Sequence, residues 1–65
     1  MTFDQLIEHF GSQVKAGAAL GELGEGDGKG LAQSSVFEWR EGGIPPARQA
    51  QYELITGGKL KASRP

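Results

Sequence analysis

Glycine punctuates this chain at Gly11, Gly21, Gly42–Gly43 and Gly57–Gly58, and each position closes a stretch whose apolar residues recur every three to four. Between such stops only short helices fit. Short helices are unstable alone and must pack against one another. The first stretch starts at Thr2, a good N-cap, and carries Phe3, Leu6, Ile7 and Phe10 as one apolar stripe. Ser12 caps a second helix running from Gln13 to about Leu20, with Gly21 as its stop. It is rich in small residues, Ala16 to Ala19. Gly17 costs about 1 kcal/mol relative to alanine inside a helix, which the close crossing of another helix would justify. A third helix is expected from Ala32 to Arg40, stopped by Gly42–Gly43, and Ile44 docks the following connection into the core. Pro45–Pro46 start a fourth, which passes through Tyr52, Leu54 and Ile55 and stops at Thr56-Gly57-Gly58. Leu60 anchors the tail. No alternating run argues for a sheet, so the expected fold is all-α, with four to five short helices.

The 65 residues allow one domain and one core. With no cysteine, neither a disulfide nor a cysteine zinc site can brace it, and a reducing cytoplasm suits the composition. No apolar run is long enough for a membrane span, and no signal-peptide pattern is seen. Net charge is −1, from seven basic and eight acidic residues. Glu22, Glu25 and Asp27 cluster in the segment Glu22–Gly30, and without it the rest is slightly basic, with Lys59, Lys61 and Arg64 in the tail.

Glu22–Gly30 (ELGEGDGKG) reads as a flexible, glycine-rich loop without regular structure. It is not a phosphate loop, because Leu23 stands where the first glycine belongs and Gly30 where Ser or Thr must follow Lys29. Nor is it a calcium loop: with Glu25 first, the twelfth position falls on Val36 instead of a bidentate Glu. His9 is the one histidine, and Ser34 and Ser35 have no recognisable base partner. Nucleophilic catalysis and a transition-metal site are therefore not expected. The chain reads as a non-enzyme with no cofactor, no metal and no small-molecule substrate.

The stretch LAQSSVFEW, Leu31 to Trp39, carries the chemistry. One face can bury Leu31, Val36 and Trp39, and the other presents Gln33, Ser34, Phe37 and Glu38. It is either a solvated amphipathic helix or the second helix of a helix-turn-helix, whose first residues hydrogen-bond base edges in the major groove. The flanking helices favour the second. Trp39 is expected in the core rather than stacked on a base. Phe37, off that face, is expected to be exposed, against a thymine methyl or in a protein interface.

LIEHFGSQ, AALG, LAQSSVFEW and IPPARQAQYELITGGKL together resemble the Cro-type repressors of lambdoid phages and the related YdaS-like prophage antitoxin regulators, over nearly the whole chain. The resemblance implies a single helix-turn-helix domain of the lambda-repressor-like type, residues 1–65. Its turn is extended, because Glu22–Gly30 adds nine residues between Gly21 and Leu31. Lengthening that loop costs only about 1 kcal/mol in closure entropy. The implied function is a sequence-specific repressor of phage or prophage origin, binding double-stranded operator DNA as a homodimer in a bacterial cytoplasm. The helix Ala32–Arg40 would enter the groove. Gln33, Ser34, Phe37 and Glu38 are expected at bases, and Ser12, Gln13, Lys15, Arg40 and Arg48 at phosphates. The alternatives are a protein-interaction module such as an antitoxin component, or a helix-turn-helix that has lost DNA binding.

Overall fold

A computed structural model of the chain describes residues 1–62, so Arg64 lies outside the described residues. Among these, the regular elements are helical and no strand occurs. The helices are α1 (Phe3–Phe10), α2 (Gln13–Ala19), α3 (Gln33–Phe37), α4 (Trp39–Gly42) and α5 (Pro46–Ile55).

Helix ends follow local chemistry. Thr2 Oγ1 accepts from Gln5 N at 3.1 Å while Gln5 Oε1 accepts from Thr2 N at 2.9 Å, a reciprocal capping box. Ser12 Oγ accepts from Lys15 N at 3.1 Å and starts α2. At the other end of the chain, Gly57 N donates to Leu54 O and Gly58 N to Glu53 O, the paired bonds of a Schellman stop on α5. The third helix begins one residue later than expected, because Ala32 is an extended cap with no side-chain hydrogen bond. Its helical path runs on to Gly42, since Glu38 keeps helical angles between α3 and α4.

Nearly every element contributes to the core. Leu6, Ala16, Leu20, Val36, Trp39, Ile44, Tyr52 and Leu60 are buried, and Phe3, Ile7, Phe10 and Leu31 pack at its edge. Tyr52 stands at the centre, its ring 5.5 Å from that of Phe10 and 6.2 Å from that of Trp39. Its hydroxyl donates to Ala16 O at 2.6 Å, tying α5 to α2. Leu54, by contrast, is exposed: two residues from Tyr52 is about 200° around a helix, so the two cannot share a face.

Burial pushes the Tyr52 hydroxyl up to about 12, the nearby Arg48 charge opposing it. The fold therefore favours the neutral phenol. Its contribution is complete below the unfolded value near 10 and is lost as pH rises from about 10 towards 12, an effect of about 2–3 kcal/mol. Wild type is expected to lose stability steeply over that interval in urea melts, and Tyr52→Phe to lose less. Equal alkaline losses in both would show that Tyr52 does not carry the effect.

Two expectations are corrected. The segment Glu22–Gly30 has local order. A 3-10 turn, Leu20–Leu23, continues α2, and a second tight turn, Glu25–Gly28, follows. Gly26 and Asp27 there are left-handed, and Lys29 N and Gly30 N donate back to Gly26 O and Glu25 O. Alternating glycines thus allow successive left-handed turns, which close hydrogen bonds that a conventional helix or strand could not. Gly21, in turn, does not stop α2. The helix ends at Ala19 with Leu20 as its cap, Gly24 (φ 87) closes the 3-10 turn that follows, and Gly21 lies inside that turn where a Cβ would overlap Gly28 O.

The segment returns the chain to α2 at close quarters. Leu31 N donates to Gly17 O at 2.9 Å. A Cβ on Gly17 would overlap the Leu31 carbonyl oxygen and press on Val36 Cγ2. The missing side chain at Gly17 therefore permits the crossing that seats α3 against α2.

Candidate nucleic-acid interface

This crossing sets the outward face of α3. Val36 points inward and is fully buried, and Trp39 follows it into the core one turn on. Gln33, Ser34, Phe37 and Glu38 are consequently exposed. With Gln13 at the start of α2, these four line an open hollow of about 530 Å³. Phe37 is 51 % exposed, a large apolar surface left in solvent. The Arg40 guanidinium lies over its ring at 5.9 Å, within cation–π range, and so is held beside the same face.

Gln13 is half-buried, and its Oε1 is buried with no hydrogen-bond partner. A buried amide oxygen without a donor costs free energy. Here it belongs to a residue that lines the hollow, where an incoming N–H or amino group could satisfy it. The sequence reading placed Gln13 among phosphate contacts. Its membership of the hollow was not legible, because it depends on the angle at which α2 and α3 cross.

The other expected contacts are divided. Ser12 and Lys15 stand with Gln13 at the start of α2: Ser12 Oγ is occupied by the cap bond to Lys15 N, and the Lys15 side chain is exposed. Arg40 is exposed beside Phe37. Arg48 has been drawn elsewhere, its Nη1 lying 3.1 Å from Glu25 Oε1 and donating to Gln51 Oε1 at 2.9 Å. Gln51 Nε2 also donates to Glu25 Oε1 at 3.0 Å, so the second tight turn is clipped to α5.

The Gln51 hydrogen bond and the Arg48 charge hold the Glu25 carboxyl below the usual carboxylate range. The clip is therefore intact at neutral pH and is lost as pH falls through that lowered value. Both partners remain partly exposed, so solvent weakens the attraction. Among the described residues, no group of three or more His, Cys, Asp or Glu could hold a metal ion, and no helix is long and apolar enough to cross a membrane.

A family model described as "DNA-binding transcriptional regulator Cro" matches residues 2–65. Neither a curated protein nor a solved structure gave a match.

Proposed function

The chain belongs to the family of the DNA-binding transcriptional regulator Cro, and from that premise we propose that α2 and α3 are its helix-turn-helix, with α3 seated in the major groove of operator DNA. The family is one of phage DNA-binding repressors, which is not an enzyme class. The observation that carries the assignment is the hollow itself. It gathers Gln33, Ser34, Phe37 and Glu38 beside Gln13 on the side of α3 that the core does not use. Gln33, Ser34 and Glu38 supply donors and acceptors for base edges, and Phe37 supplies an apolar surface for a thymine methyl. Ser12, Lys15 and Arg40 position the backbone phosphates, which fixes register without reading sequence. Gln13 lies where it can do either. Arg48 could join them only by leaving Glu25.

The same proposal includes a homodimer on DNA in a bacterial cytoplasm. Two such domains would meet half-sites about 34–36 Å apart, the spacing of one turn of duplex. The protein-interaction alternative gains no support from the family match.

Gln33→Ala is expected to weaken operator binding by about 1–3 kcal/mol and to relax the preference at one base position. Gln33 is exposed at the first position of α3, where a bidentate amide can read an adenine. Titration of wild type and variant against the operator, and against duplexes changed one base pair at a time, checks this. Unchanged affinity and preference in the variant would remove Gln33 from the reading face.

A further inference from the structure

A second hollow lies between α1 and the tail. It is open, about 570 Å³, and is lined by Gln5, Glu8 and His9 of α1 and by Lys59, Leu60 and Lys61 of the tail. The tail is held there by several bonds. Leu60 is buried, and its N–H donates to Thr56 Oγ1 at 3.2 Å. Ala62 N donates to Glu53 Oε1 at 2.8 Å, and the Met1 ammonium donates to Lys61 O at 2.7 Å. With Leu60 turned into the core, the lysines on either side of it are both exposed and line the hollow. His9 and the Gln5 amide add N–H donors, and Glu8 is the one carboxylate among the lining residues.

We propose that this cleft binds a phosphate group of the DNA backbone, through Lys59, Lys61 and His9, beyond the phosphates met by Ser12 and Lys15. The position suits this. The lining runs along α1 to His9 in its last turn, three residues before Ser12, which caps α2. In a helix-turn-helix the first helix of the motif crosses the backbone. The inference rests on the DNA-binding reading given above. Phosphate contacts add affinity without sequence preference, and each neutralised phosphate steepens the dependence on salt. The cleft thus concentrates positive charge locally in a chain whose net charge is −1.

The test is the doubly substituted Lys59→Gln/Lys61→Gln protein, with Lys29→Gln as a control lysine outside the cleft. Affinities for an operator duplex and a random duplex are measured across a range of salt. The double variant is expected to lower the magnitude of the slope of log K against log salt by about 0.9 on both duplexes, as one lost phosphate contact requires. Base preference and melting temperature stay unchanged, and Lys29→Gln keeps the wild-type slope. Glu8→Gln is expected to tighten binding to both duplexes. An unchanged slope in the double variant overturns the proposal.

A second arm follows the His9 ring by NMR while inorganic phosphate is added. A saturable shift, absent in the double variant, supports an anion site. That shift with no change in the DNA slope would assign the cleft to a free anion and overturn the DNA contact. Wild type that binds no duplex at all would overturn the DNA-binding reading and this contact with it. Gln33→Ala separates the two claims, because it alters base preference and leaves the salt slope alone.

Discussion

Trp39→Ala is expected to destabilise the fold by about 3–5 kcal/mol, as truncations of large buried aromatics do. Trp39 is only 7 % exposed, meets the Tyr52 ring edge-on at 6.2 Å, and belongs to a core with few large side chains. Small domains of this size hold roughly 3–10 kcal/mol in total, at about 0.05–0.15 kcal/mol per residue. The loss is therefore a large share of the total, and the variant should melt far below wild type, with DNA binding falling as the folded fraction falls. Thermal and urea melts decide it. A variant that melts as wild type does but no longer binds DNA would move Trp39 out of the core and onto the interface.

Gly30→Ala is expected to cost nearly as much. Gly30 adopts φ 83, which penalises any side chain by about 1–2 kcal/mol. Its Cβ would also overlap Gly17 O and lie 2.6 Å from Ala18 Cα, both backbone atoms that cannot rotate away. Overpacking of that kind adds about 1–3 kcal/mol, for a sum of about 2–5 kcal/mol. Gly24→Ala separates the two contributions, because Gly24 has φ 87 and open space around it. It should show the backbone penalty alone. Equal melting temperatures for the two variants would mean that the return of the chain onto α2 is not tightly packed.

Sequence alone made much of the architecture legible, because local chemistry sets it. Thr2 and Ser12 cap as their types predict, Pro46 begins α5, and Gly17 marks the close crossing. The apolar periodicity located Leu6, Val36 and Trp39 in the core. Phe37 emerged exposed because helical phase turns it away from Val36 and Trp39.

What was not legible depends on distant partners. The order within Glu22–Gly30 comes from left-handed turns that glycine allows without announcing, and from a clip to α5 that joins residues 25 and 48. The same clip removes Arg48 from the free positive charge, which no local pattern could reveal. The place of Gln13 in the hollow depends on a crossing angle, and the second cleft depends on where the tail lies against α1. In each case the residue type was visible and its partner was not.

The most direct test of the account is an NMR titration of the isotope-labelled wild-type chain with its operator duplex, following backbone amides and the Gln13 and Gln33 side-chain amides. The account predicts that the largest shifts fall on Gln13, Gln33, Ser34, Phe37 and Glu38, with Ser12, Lys15 and Arg40 next, and that the α5 residues Arg48 and Gln51 respond little. Shifts centred on Glu22–Gly30 or on the exposed Leu54 side of α5, with the α3 face silent, would contradict it.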